Sequence, residues 1–229
     1  FNGMKHVLHT IPSGIFHPEK TNVIGNGVII DPCILARELK SLRERGAEPE
    51  KNLVISKRAH LILPTHRLID NVQEASKGKQ KIGSTLKGIG PAYTDKIARN
   101  GLRIGDIQIG NFKERYEALK SEHMRVINSY TPDASLLMIE NKPFEEYEQL
   151  WFEGLNYIAD IPFIDSEIFI NKSLQEGKRI LAEGAQGTML DIDFGTYPYV
   201  TSSSTISAGV CSGLGISPDK VGKVFGVFK

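Results

Sequence analysis

Two stretches of this chain are rich in groups that bind anions without being positively charged. The longer one contains the run GTYPYVTSSST at 195–205, and no lysine, arginine or histidine occurs between Ile180 and Asp219. Glycine, serine and threonine expose backbone N–H groups and hydroxyls, which donate hydrogen bonds to phosphate oxygens. An exposed loop of this length usually carries some charge, so the pattern favours a ligand-binding loop over a plain surface loop. It leaves open where a balancing cation would come from.

The other stretch, GSTLKGIGPAY, begins at Gly83. The spacing of Gly83 and Gly88 matches a phosphate-binding P-loop, but Ile89 and Gly90 stand where that motif requires Lys and Ser or Thr. The motif is therefore not a P-loop. Two alternatives remain. The loop forms an anion nest with the hydroxyls of residues 84–85, or it is an ordinary connection whose turns need glycine. The pattern alone favours the second.

Three polar side chains precede the hydroxyl run. Gln186 lies between small residues, and its amide both donates and accepts, which suits reading the edge of a base. It follows a strand predicted at 179–184, and α/β sheets place ligands where strands end. Asp191 and Asp193 alternate with apolar residues as in a strand. No third ligand is evident, so we interpret both as surface carboxylates and not as metal ligands.

The histidines show no metal-ligand spacing with a nearby carboxylate. We therefore interpret them as structural or surface residues. The six are His6, His9, His17, His60, His66 and His123. Alternating charges over 112–129 similarly indicate a helix with a solvated face.

The elements that position these loops alternate between strands and helices. Asp31 and Pro32 begin the clearest helix, as N-cap and first helical residue, and Gly46 follows its last turn. Further strands are predicted at 52–56 and 61–64, and further helices at 65–77, 92–99, 112–129, 143–160 and 165–176. The helix over 143–160 has an apolar set consisting of Phe144, Tyr147, Leu150, Trp151 and Leu155. The alternation predicts an α/β fold, with a mainly parallel sheet flanked by helices.

Composition limits the classes of function. The 229 residues are 40% hydrophobic and 24% charged, which is ordinary for a globular protein. A net charge of +1 gives no general attraction to nucleic acid or to an anionic membrane. Cys33 and Cys211 lie far apart, and the sequence has no signal peptide and no apolar run of membrane length. We therefore expect a cytoplasmic protein without disulfides.

The two ends predict a piece of a longer polypeptide. Asn2-Gly3 is a hairpin-turn signal with no strand before it, and the apolar run VGKVFGVFK stops at Lys229 as if within a strand. We expect residues 1–229 to be internal to a larger protein.

Four strings, in order and over nearly the whole chain, resemble the adenylosuccinate synthetase family. They are IPSGI, IGNGVIIDP, GIGPAYTDKIARNGLRIGD and EGAQGTMLDIDFGTYPYVTSS. The resemblance implies a P-loop-NTPase-like adenylosuccinate synthetase fold, with residues 1–229 as the central part of one domain truncated at both ends. It also implies a Mg²⁺- and GTP-dependent ligase that joins IMP and L-aspartate, the first committed step from IMP to AMP. In the family's mechanism O6 of IMP attacks the γ-phosphate of GTP, and the amino group of aspartate then displaces that phosphate.

The same resemblance implies roles for individual residues. Thr85 in GST, Gln186 in GAQG and Thr201 in YVTSS match positions that bind IMP. Arg99 in KIARNG matches an arginine that reaches IMP across the interface of a homodimer.

Other parts of the family's machinery match nothing in this chain. They include the catalytic aspartate, lysine and histidine and the ligands of GTP and Mg²⁺, so we expect residues 1–229 alone to be inactive. Leu86-Lys87 stands where many relatives have Gly-Arg, which leaves any role of that arginine open. A second hypothesis is a noncatalytic IMP-binding or dimerisation module.

Overall fold

The computed structural model describes residues 7–228. Its strands are β1 (Asn22–Ile24), β2 (Ile29–Ile30), β3 (Leu53–Ser56), β4 (His60–Leu61), β5 (Met138–Ile139), β6 (Lys142–Pro143) and β7 (Phe163–Ile164). Its α-helices are α1 (Pro32–Glu44), α2 (Pro64–Ser76), α3 (Ile89–Ala98), α4 (Phe112–Ser129), α5 (Phe144–Ile158), α6 (Ser166–Gln175) and α7 (Gly209–Leu214). Within the described range, no helix is both long and apolar enough to cross a membrane.

Parallel pairing dominates the sheets, as the alternation of elements predicts. The larger sheet has the order β1-β3-β7, with Val23 opposite Val54 and Ile55 opposite Phe163. Strands β2 and β4 also pair in parallel, whereas β5 and β6 form a short antiparallel hairpin. The α/β fold class is therefore confirmed.

The start and end of α1 follow the predicted signals. The Asp31 carboxylate accepts hydrogen bonds from the N–H groups of Cys33 and Ile34, at 2.9 and 3.3 Å. Gly46 adopts φ +81° just after the helix, a conformation that glycine adopts without strain. Local chemistry alone is enough to define this helix.

Helix α5 packs against α1 and contributes the centre of the core. Trp151 is fully buried, donates from Nε1 to the Ile62 carbonyl at 2.7 Å and stacks on Tyr116 of α4. Gly154 lets the two helices approach, because a Cβ there would lie 2.9 Å from the Pro32 carbonyl group. The predicted apolar set of α5 is buried except Leu150, which is 37% exposed.

Helix α2 buries polar residues as well as apolar ones, which helical periodicity does not predict. Buried polar or charged residues on it are Thr65, His66, Arg67, Asp70 and Glu74. Their partners lie on the following loop, α3, α4 and the β5–β6 hairpin. The polar face of α2 therefore connects elements inside the protein.

Several predicted strands differ from the structure. Strand β4 ends at Leu61, because Pro64 begins α2. Residues 179–184 form no strand, and nothing within residues 7–228 pairs with their backbone. The apolar run 221–228 is likewise not a strand, and Phe228 is 96% exposed. A strand needs a hydrogen-bonded neighbour, which a local pattern cannot supply. The turn predicted at Asn2-Gly3 lies outside the described residues.

Candidate functional site

The glycine-rich loop 83–88 is tied to α2 by two carboxylates. Glu74 accepts from the N–H groups of Gly83 and Ser84, at 2.6 and 3.2 Å. Asp70 accepts from the Ser84 hydroxyl at 2.6 Å and from the Gly88 N–H at 2.9 Å. The hydrogen bonds from Gly83 and Ser84 lower the pKa of Glu74 below its ordinary value. These N–H groups already serve internal anions, so they do not form an open anion nest. The exposed hydroxyl of Thr85 is available to a ligand.

Helix α3 begins where this loop presses against α2. Gly88 adopts φ +73°, and a Cβ there would lie 2.9 Å from both the Arg67 nitrogen and the His66 carbonyl carbon. Only glycine fits such a left-handed close approach without strain. Arg99 caps the other end of α3 with φ +68°, and Leu86 in the loop also has a positive φ of 56°. Non-glycine residues in this conformation often mark functional segments.

A buried cluster of two histidines and a carboxylate joins α2, α3 and α4. Asp95 Oδ2 lies 2.9 Å from His66 Nε2 and 2.9 Å from His123 Nε2. His66 Nδ1 accepts from the Leu63 N–H, so in the neutral ring the proton is on Nε2. Thr65 Oγ1 lies 2.6 Å from His123 Nδ1 and donates to it when His123 Nε2 carries the proton. Both rings then donate to Asp95.

This hydrogen-bonded arrangement does not fit a metal site. A metal ligand offers a lone pair, whereas the ring nitrogens that face Asp95 carry protons. Burial raises the pKa of Asp95, but the hydrogen bonds from His123 and His66 outweigh it and hold that pKa well below the usual range. The sequence showed no histidine with metal-ligand spacing and a nearby carboxylate, and it did not reveal Asp95, which tertiary packing brings to both His66 and His123. The structural role assigned to them remains.

The loop that contains the hydroxyl run 195–205, called the hydroxyl loop below, is organised around Asp191, which is fully buried. Its Oδ1 accepts from the N–H groups of Asp193 and Phe194, at 3.0 and 3.1 Å. Its Oδ2 accepts from those of Thr205 and Ile206, at 2.7 and 3.2 Å. Burial raises the pKa of Asp191, but these four donors lower it to about 2. The prediction of a surface strand carboxylate is wrong for Asp191, because the chain folds back on it.

The hydroxyl loop lies beside α3. Ser202 lines one open cleft together with Gly90, Tyr93, Thr94, Ile97 and Ala98. The Tyr93 hydroxyl donates to the Gly27 carbonyl at 3.2 Å. A Cβ at Gly90 would lie 3.5 Å from Ser202 Oγ. This is an ordinary van der Waals distance, so Gly90 and Ser202 face each other closely across the cleft.

Some N–H groups of the hydroxyl loop have no internal partner. Thr201 donates to the Leu190 carbonyl at 2.9 Å, and Thr205 and Ile206 donate to Asp191. The N–H groups of residues 202–204, which lie between these donors in the sequence, have no acceptor within residues 7–228. Three consecutive unpaired donors, flanked by hydroxyls, can bind an oxyanion.

The structure brings some of the predicted site residues together. The Thr205 hydroxyl donates to the Gly187 carbonyl at 2.9 Å, so Gln186, at φ +56°, adjoins the hydroxyl loop that contains Thr201. Thr85 lies three residues before Gly88, the N-cap residue of α3. It is therefore near the same end of the helix as Gly90. Arg99 is exposed beyond the other end, and ten helical residues span about 15 Å. Arg99 is thus separated from Thr85 by the length of α3.

Comparisons with known proteins agree over the whole sequence. A family model described as adenylosuccinate synthetase matches residues 1–229. Adenylosuccinate synthetases from Christiangramia forsetii and Parabacteroides distasonis are 53% and 55% identical to this chain, over all 229 residues. The match covers 53% and 52% of those relatives, so the chain spans about half the length of the curated relatives it matches.

Solved structures support the same assignment. The fully ligated adenylosuccinate synthetase from Plasmodium falciparum superposes with a TM-score of 0.82 at 36% identity, over 96% of this chain and 50% of that one. A cyanophage succinoaminodeoxyadenylate synthetase, at 24% identity and a TM-score of 0.58, shares the fold over 95% of this chain and 47% of its own. Because the family model matches every residue, the chain belongs to the adenylosuccinate synthetase family.

Proposed function

We propose that the full-length protein containing this chain is a GTP-dependent ligase that joins IMP and L-aspartate to form adenylosuccinate, GDP and phosphate. The observation that carries the proposal is the family match over all 229 residues. GTP with Mg²⁺ supplies the phosphoryl group that activates IMP, and their ligands are expected outside residues 1–229. The free cysteines Cys33 and Cys211 fit a reducing, cytoplasmic location.

The chain's own contribution is to bind and orient IMP. The hydroxyls of Thr85 and Thr201 donate to the phosphate, and the Gln186 amide contacts the purine. Two features support this assignment. The Thr85 hydroxyl remains exposed although its loop is held by Asp70 and Glu74, and Gln186 adjoins the loop that contains Thr201.

The phosphate also needs a cation, which we assign to Arg99 of a second subunit in a homodimer. Both hydroxyl-bearing loops are held by internal carboxylates, and residues 180–219 contain no cation. Arg99 is exposed and has no carboxylate partner within residues 7–228, and the length of α3 separates it from Thr85. The neighbouring Ile97 is 77% exposed, as expected for a residue that packs on another subunit. A guanidinium suits the role because its planar fork holds two phosphate oxygens.

Turnover and IMP binding test the proposed reaction. The full-length protein should form adenylosuccinate only when IMP, GTP, L-aspartate and Mg²⁺ are all present. Thr201→Val should weaken IMP binding by about 1–3 kcal/mol, since a phosphate oxygen loses its donor. The control is Thr21→Val, an exposed hydroxyl at the edge of β1. Binding of IMP without turnover would favour the noncatalytic IMP-binding module, and failure to bind IMP would exclude both the ligase and that module and leave the dimerisation module. The inactivity of residues 1–229 alone stays a prediction.

Subunit mixing tests the origin of the cation. Arg99→Ala and the double variant Thr85→Val/Thr201→Val should each have weak activity. A heterodimer of the two has one site with both threonines and the partner's arginine, so mixing should restore activity. If subunits exchange and activity does not return, Arg99 does not act across the interface.

A further inference from the structure

The hydrogen bonds that Asp191 accepts determine which N–H groups of the hydroxyl loop remain free. Its carboxylate takes up donors at both ends of the loop, from residues 193–194 and 205–206, within 2.7 to 3.2 Å. The Thr201 N–H is taken up by the Leu190 carbonyl. The N–H group of Val200 and the run of three at residues 202–204 have no acceptor within residues 7–228. The loop is therefore closed on an internal anion, and its free donors lie on both sides of Thr201.

The charge of Asp191 is compatible with a neighbouring phosphate. A carboxylate that accepts four N–H hydrogen bonds has its charge largely offset by the dipoles of those groups. Asp191 is fully buried and no cation within residues 7–228 pairs with it, so its four hydrogen bonds are what keep it ionised. Without the carboxylate the same four N–H groups would lose their acceptor, and the loop would be held by fewer hydrogen bonds, such as that from the Ile192 N–H to the Ser203 carbonyl.

We propose that Asp191 is a positioning residue for IMP, which holds the loop so that the N–H groups of residues 202–204 and the Thr201 hydroxyl converge on the phosphate. The inference rests on the proposed function, since it assumes that this loop binds IMP. It assigns to Asp191 no contact with the substrate.

The inference predicts that a change at Asp191 affects the binding of ligands with a phosphate and not of ligands without one. If Asp191 sets the phosphate-binding donors, its loss should affect IMP but not inosine, which has the same base and sugar without the phosphate. Asn keeps the shape of Asp191 but replaces one acceptor oxygen by a donor, so two of the four N–H groups lose their partner. We expect Asp191→Asn to weaken IMP binding about tenfold or more, as two unsatisfied donors would, and to leave inosine binding unchanged.

A matched control is Asp133→Asn. The Asp133 carboxylate likewise accepts from backbone N–H groups, those of Ser135 and Leu136, but in the turn before β5. Binding of IMP and inosine is measured by calorimetry on the full-length protein and on both variants. A selective loss of IMP affinity in Asp191→Asn alone supports the inference. Unchanged IMP affinity, or an equal loss for IMP and inosine, overturns it. If the wild-type protein binds IMP no better than inosine, the proposed phosphate site fails, and the inference fails with it.

Hydrogen exchange on the wild-type protein gives a second test that does not depend on a variant that folds. Without ligand, the amides of residues 205–206 should exchange slowly and those of residues 202–204 quickly. IMP should protect 202–204, and inosine should not. If IMP leaves 202–204 unprotected although it binds, or if 205–206 exchange quickly without ligand, Asp191 does not hold the loop as proposed.

Discussion

Replacing Gly88 by alanine should separate α3 from α2. The new Cβ would lie 2.9 Å from the Arg67 nitrogen and from the His66 carbonyl carbon, both in the backbone of α2. A backbone atom cannot rotate away, so one helix has to shift, and overpacking of this kind costs about 1–3 kcal/mol. The left-handed φ of +73° adds about 1–2 kcal/mol for a residue with a Cβ. We expect a total loss of about 2–5 kcal/mol in the free energy of unfolding.

Gly83→Ala is the matched control for the steric part of this loss. Gly83 lies in the same loop at φ +89°, but a Cβ there would meet nothing within 4 Å. Its substitution should therefore cost only the conformational strain. Urea unfolding of the full-length protein, followed by circular dichroism, measures both variants without ligand. A difference below about 0.5 kcal/mol between them would contradict the proposed close packing of α3 on α2.

Two further predictions concern the same region. Leu86→Gly should raise the free energy of unfolding by up to about 1 kcal/mol, because Leu86 is held at φ +56°; a loss of stability in urea unfolding would contradict this. His60 is buried, and burial together with the charges of Lys96 and Arg103 lowers its pKa to about 4. The unfolded chain therefore binds a proton between pH 6.5 and 4 that the folded protein does not, so stability should fall by up to about 3 kcal/mol as the pH falls through this range. His60→Gln should reduce this slope in unfolding experiments at several pH values, and an unchanged slope would assign the pH dependence to other groups.

Local sequence signals predicted those elements whose start and end are set by neighbouring residues. The N-cap at Asp31, Pro32 after it and Gly46 past the last turn define α1 within sixteen residues. The α/β class and its mainly parallel pairing followed from the order of elements. The family was recognised from four long strings of residues, which are far more specific than the spacing of a single motif.

Local signals of this kind could not predict hydrogen-bond partners that are distant in the sequence. Asp191 looked like a surface carboxylate because it alternates with apolar neighbours, yet two of its four donors lie at 205–206. Asp95 is 29 residues from His66 and 28 from His123, yet it meets both when three helices pack. The predicted strand 179–184 failed for the converse reason, because its pattern is strand-like but no neighbour within residues 7–228 pairs with it.

The sequence by itself therefore determined the helices with local caps, the fold class and the residues expected to meet IMP. Only the tertiary structure decided which N–H groups in the two loops are free, because Asp70, Glu74 and Asp191 take up most of the others. The physical reason is that periodicity records which face of an element is apolar, whereas a buried carboxylate accepts from any donor that folding brings within hydrogen-bonding distance.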